Sequence, residues 1–197
     1  MTRKINPNKK IIFATLKLAV TVPWQEITMD SIAKAAKVKS SVLMEIFSSK
    51  LAILDAFNRQ LDEQITEEFS NIENVGSIRE QLFEILMARF DALNRYKSAL
   101  KLIYKETVPF DPLASAYGLN NLIHSMKIVL NIVGIPTCTP VGCVRTKVLS
   151  AIFIRSFIIW LEDNSTDMAK TMAKLDNDLA KAETLGKSVT NTRWFKR

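Results

Sequence analysis

The sequence predicts an all-α fold of about nine helices: a three-helix helix-turn-helix unit, a connecting helix and a helical bundle. Apolar residues recur at three- and four-residue spacing along most of the chain, the period of a helix with one buried face. Only 5 Gly and 6 Pro occur in 197 residues, and period-two alternation is scarce. The 48% hydrophobic content is enough to fill a core, which separates the chain from disordered sequences.

Each element can be placed in turn. Ile11, Ile12, Leu16, Ala19 and Val20 form one stripe, so the first helix runs from about Asn8 to Thr21 and is stopped by Pro23. Thr28 caps a short second helix carrying Ile32, Ala33 and Ala36. The turn Lys37-Val38-Lys39 follows, then a third helix over Ser40–Phe47. Ser48 or Ser49 caps a longer fourth helix to about Ile72, striped by Leu51, Leu54, Phe57, Leu61, Ile65 and Phe69. After the break Asn74-Val75-Gly76-Ser77, Ser77 and Glu80 read as a capping box. Leu82, Phe83, Leu86, Met87 and Phe90 carry the next helix, and four more follow over Ser98–Lys105, Pro112–Val133, Gly142–Asp163 and Asp167–Leu185. The long loop Gly134–Gly142 is rich in Pro and Gly. The expected domains are a helix-turn-helix domain over 1–50, a helical dimerisation and ligand-binding domain over 51–187, and a basic tail over 188–197.

The charge is localised. The chain carries net +7, and residues 1–50 hold 9 Lys/Arg against 3 Asp/Glu. A basic excess confined to one quarter of the chain points to a contact surface for a polyanion. The most apolar run, Val148–Leu161, is interrupted by Arg155 and falls short of the roughly 20 residues that span a bilayer. The start has no signal-peptide cleavage pattern, so the expected location is the cytoplasm, with Cys138 and Cys143 as free thiols. His124 has no further ligand at metal-binding spacing, and no phosphate loop or nucleophile–base pair occurs. A non-enzymatic protein without a metal or cofactor is expected.

The order Thr28, Ile32-Ala33, Ala36, Val38, Leu43, Phe47, Ser49-Lys50, Leu54 has a physical logic. Small residues let two helices cross closely, apolar anchors fix their angle, and the outer face of the later helix is left to enter a major groove. This order, with Ile11, Ala14, Leu16 and Leu18 before it, Trp24 in the loop and Phe57 after it, resembles the DNA-binding domain of TetR-family transcriptional regulators over about a quarter of the chain. The resemblance implies phosphate contacts at Thr28 and Lys50; beside it, Lys39, Ser40, Ser41 and Glu45 are this chain's own candidate DNA contacts on the third helix, and Arg3, Lys4, Lys9 and Lys10 are candidate backbone contacts of the arm and first helix. The partner implied is double-stranded DNA with a near-palindromic operator, bound by a homodimer. The chain departs from the family with Ser41 for Gly, and with Val42, Met44, Glu45 and Ile46 for polar and aromatic groups.

Residues 87–185 are similar to a second group, the lipid-binding, TetR-like accessory proteins of ubiquinone biosynthesis, through Trp160-Leu161, Asp163, Ser165, Asp167, Thr171, Leu175 and Asp176. That resemblance implies an alternative, a lipid-handling protein with a degenerate DNA-binding head, an isoprenoid ligand and peripheral membrane contact through the tail residues Trp194 and Phe195. The apolar groups Met87, Met126, Leu130, Phe153 and Phe157 are the candidate lining of a pocket for an apolar small molecule or isoprenoid lipid. Ile158, Leu161, Met172, Leu175 and Leu179 are the candidate dimer interface.

Overall fold

The computed structural model describes residues 6–70 and 76–190, with side chains described as far as Leu185. Nine helices and no strands occur among the described residues: α1 Pro7–Leu18, α2 Met29–Ala36, α3 Ser40–Ile46, α4 Lys50–Phe69, α5 Ile78–Asn94, α6 Lys97–Thr107, α7 Pro112–Ile132, α8 Pro140–Glu162 and α9 Ala169–Thr190. They form two compact units. The first comprises the residues to Gln60 with Arg95–Asn121, and the second comprises Leu61–Asn94 with the residues from Leu122 onward.

Most helix starts are written in caps. Asn6 accepts the amide of Asn8 ahead of Pro7, and Ser49 accepts that of Ala52. The Ser77–Glu80 box closes in both directions, at 2.7 and 3.3 Å. Its hydrogen bonds hold the exposed Glu80 carboxyl below its usual range. The first helix ends at Leu18 rather than Thr21. The amides of Val20 and Thr21 turn back onto Lys17 and Leu18 in a tightened last turn, and Val20 is exposed rather than part of the buried stripe.

In the first unit Ile11, Ile12, Leu16, Ile27, Ile32, Leu43, Phe47 and Ile53 are buried. Ala99 and Ile103 of α6 are buried as well, and α6 packs on α1. Trp24 is the hub. Its amide donates to Glu106 of α6, and its carbonyl accepts from Lys50 Nζ at 2.6 Å. Phe57 and Tyr96 meet edge to face at 5.0 Å.

In the second unit α8 packs on α9, and α5 on α9. An aromatic cluster links Phe90 with Phe153 and Trp160, and Phe157 with both of these; the ring centroids are 4.9–6.2 Å apart. A buried polar cluster joins three helices. Arg89 of α5 is paired with Asp62 of α4, and Ser125 of α7 donates to Asp62 at 2.8 Å while accepting from Arg89 at 3.3 Å. The α8–α9 connection is organised by buried Asp163. One carboxylate oxygen accepts the amide and hydroxyl of Ser165, and the other accepts those of Thr171. Burial alone would raise this carboxyl's pKa, but the four hydrogen bonds hold it well below the usual carboxylate range. Ser165 and Asp167 also accept the amide of Ala169 and so cap the last helix, which starts at Ala169 rather than Asp167.

Candidate nucleic-acid interface

The α2–turn–α3 motif is held at both ends by its own backbone chemistry. Thr28 Oγ1 accepts the amide of Ser31 at 3.1 Å, and Ser31 Oγ accepts the amide of Thr28 at 3.0 Å, a reciprocal capping box. Lys37 closes α2 in the left-handed conformation, φ 52°, and the amide of Val38 returns to Ala33 O at 3.0 Å. Ser40 Oγ then donates to Asp30 Oδ1 at 2.8 Å, tying the start of α3 to the start of α2. Ala33 and Ala36 are buried at the crossing, and Leu43 and Phe47 seat α3.

Those two anchors fix what α3 turns outward. At about 100° per residue, Ser41 and Glu45 lie opposite Leu43, and Val42 and Met44 flank them. All four are exposed, Val42 at 37% and Met44 at 55%. Lys39, at the N-cap position, is exposed and has no carboxylate within 4 Å among the described residues. Lys9 is exposed and Lys10 half-buried on α1.

Several expected contacts have other work inside the chain. The Ser40 hydroxyl is given to Asp30, and the Thr28 hydroxyl accepts within its own cap. Lys50 is half-buried, with Nζ 4.9 Å from the Trp24 ring centroid as well as on the Trp24 carbonyl; burial lowers its pKa. Only one of its three donors is used by that carbonyl. Arg3 and Lys4, like Trp194 and Phe195, lie outside the described residues.

The candidate pocket residues differ in their surroundings. Met126 is fully buried, and Phe153 and Phe157 fill the aromatic cluster. Leu130 borders a cavity of about 20 Å³ among Leu82, Ile135, Leu149 and Ile152, little more than one water. Met87 lies on an open cleft of about 370 Å³ between α5 and the start of α9, lined also by Phe83, Met168 and Met172 and by the acidic Glu84, Asp91 and Asp167. The candidate dimer set also divides. Ile158 and Met172 are exposed, but Leu161, Leu175 and Leu179 are at most 4% exposed and pack inside their own chain, so they are not surface groups that a partner can cover. Their stripe positions alone do not distinguish a core from an interface.

His124 and both cysteines are exposed, and no group of acidic, His and Cys side chains suited to a metal occurs among the described residues. Among those residues no helix is long and apolar enough to cross a membrane. Three features escaped the sequence reading: the Asp62–Arg89–Ser125 cluster, the Trp24–Glu106 tie, and the docking of α6 in the first unit. For Arg89 a signal existed, since it falls at helical spacing on the buried stripe of Leu82, Leu86 and Leu93.

No protein-family model matches the chain, and no curated protein does. Solved structures do. A TetR transcriptional regulator from Nitrosomonas europaea aligns over 89% of this chain and 96% of its own, with a TM-score of 0.72 at 16% identity. One from a Rhodococcus species covers 89% and 94%, with a TM-score of 0.65 at 17% identity. Thermus thermophilus FadR, a TetR-family repressor in complex with lauroyl-CoA, covers 88% and 91%, with a TM-score of 0.59 at 19% identity. From head to last helix, the chain has the fold of the TetR-family transcriptional regulators.

Proposed function

We propose that the protein is a TetR-type DNA-binding transcriptional regulator, a dimeric repressor that reads a near-palindromic operator with α3. The observation that carries this reading is the outward face of α3. It is held by buried Leu43 and Phe47 and, among the described residues, it is exposed and preceded by the exposed cation Lys39, which has no carboxylate within 4 Å there. Lys9, Lys10, Lys34 and Lys37 add positive charge on the same motif and on α1. A helix so supported suits a major groove, with the cations on flanking phosphates.

Dimerisation is supported by exposed apolar groups on α8. Val144, Ala151 and Ile158 follow one another at seven-residue spacing, and all three are exposed. Such a stripe matches a helix–helix seam between copies. An effector has room in the open cleft beside Met87, whereas the rings of Phe153 and Phe157 pack against each other and against Phe90 and Trp160. The residues that carry the quinone-pathway resemblance have structural work: Asp163 accepts the amide and hydroxyl of Thr171 in the first turn of α9, Ser165 accepts the amide of Ala169, and Trp160 Nε1 donates to Asn94 at 3.1 Å.

The test is equilibrium binding of the purified protein to duplex DNA across a salt series. Lys39→Ala should weaken binding to all sequences alike and reduce the slope of log K against log salt by about 1. An unchanged slope would remove Lys39 from the interface.

A further inference from the structure

The outward face of α3 carries an unusual set of groups for a surface that meets a polyanion. Its midline holds Ser41 and the carboxylate of Glu45, and apolar Val42 and Met44 stand on either flank. A carboxylate cannot serve a phosphate, and neither apolar side chain has a donor to offer one. Base edges offer each group a partner. In the major groove the cytosine N4 amino group is a hydrogen-bond donor that a carboxylate accepts, and the thymine C5-methyl is an apolar knob for an aliphatic side chain. Placing Glu45 on the midline sets its charge toward the groove floor, as far as the face allows from the two phosphate strands. The exposed cations Lys37 and Lys39 precede the helix.

Resting on the reading of the protein as a DNA-binding regulator, we propose that α3 selects a pyrimidine-marked half-site: Glu45 accepts from a cytosine amino group, and Val42 and Met44 pack on the methyl groups of neighbouring thymines. Specificity is therefore carried by one carboxylate and two methyl contacts, while Lys39 supplies affinity without sequence preference. Met44, long and polarizable, tolerates more than one thymine position, and β-branched Val42 fixes one.

The experiment uses the wild-type protein and duplexes recovered from genomic-fragment selection at moderate salt. Each thymine of a recovered half-site is replaced singly by deoxyuridine, which deletes only the methyl group. Binding should weaken about fourfold at the contacted thymines, the worth of one buried methyl group. Val42→Ala should abolish the effect at one of them and Met44→Ala at another. Glu45→Gln should shift the preferred base from cytosine to adenine, because an amide pairs with adenine N6 and N7. These three positions are exposed, so an unchanged helical circular-dichroism spectrum is expected for every variant. Duplexes bound equally with thymine or deoxyuridine, together with no change of preferred base in Glu45→Gln, would overturn this inference and leave the regulator reading standing. Failure of the wild-type protein to retain any duplex above random DNA would overturn both.

Discussion

Replacing Arg89 with methionine should destabilise the second unit by about 3–5 kcal/mol, and replacing Asp62 with leucine as well should recover most of the loss. The magnitude follows from the burial of the pair, Arg89 at 2% and Asp62 at 4% exposure. The single change leaves a carboxylate out of water without its cation. The Ser125 hydroxyl still donates to it at 2.8 Å, which retains about 1.5–3 kcal/mol and places the expected cost near the lower end of the range. Methionine fits the space beside the Phe153 ring, above which the guanidinium now lies at 5.8 Å, so little cavity cost is added. In the double variant the buried Asp62–Arg89 charge pair is gone, and the Ser125 hydroxyl loses its bond to Asp62, a cost of about 1–2 kcal/mol. Urea denaturation followed by far-ultraviolet circular dichroism measures both. At about 2–4 °C per kcal/mol, the single variant should also melt about 6–12 °C lower. A single-variant loss below about 1 kcal/mol, or a double variant no more stable than the single, would refute the reasoning.

Asp163→Asn removes the charge that four donors from Ser165 and Thr171 address, and should cost about 1.5–3 kcal/mol at neutral pH. Because the folded carboxyl titrates below its ordinary value of 3.8, its contribution is complete above that pH and is lost as pH falls through the lowered value. Stability of the wild type below about pH 4 should therefore fall more steeply than that of Asp163→Asn in parallel urea titrations. Gly142→Ala should lose about 1–3 kcal/mol, since a Cβ there meets the Pro136 carbonyl at 2.5 Å and Thr137 backbone at 2.8 Å; a variant as stable as the wild type by thermal melting would show that the loop yields.

Much of the fold is legible in the sequence because its signals are local. Thr28, Ser49 and Ser77 announce helix starts by side-chain chemistry that acts within three residues, and each is found in that role. Helix ends are less legible, as at Leu18, where the last turn tightens before any breaker is met. Long-range pairing is the least legible. Asp62 and Arg89 are 27 residues apart and Trp24 and Glu106 are 82 apart, and no local rule couples them. In the candidate site, the inward and outward sides of α3 follow from Leu43 and Phe47 alone. The clamp of Lys50 on Trp24 does not, because a lysine beside a helix start looks the same whether it faces a phosphate or a carbonyl. A stripe such as Leu161, Leu175 and Leu179 likewise reads as apolar without revealing which surface covers it.

Selection of genomic fragments by the purified protein at moderate salt tests the central claim most directly. Enrichment of one inverted repeat, its recovery reduced in Lys39→Ala, is the result predicted. Recovered fragments with no shared sequence, retained no better than random DNA, would contradict the claim that α3 is a duplex reader.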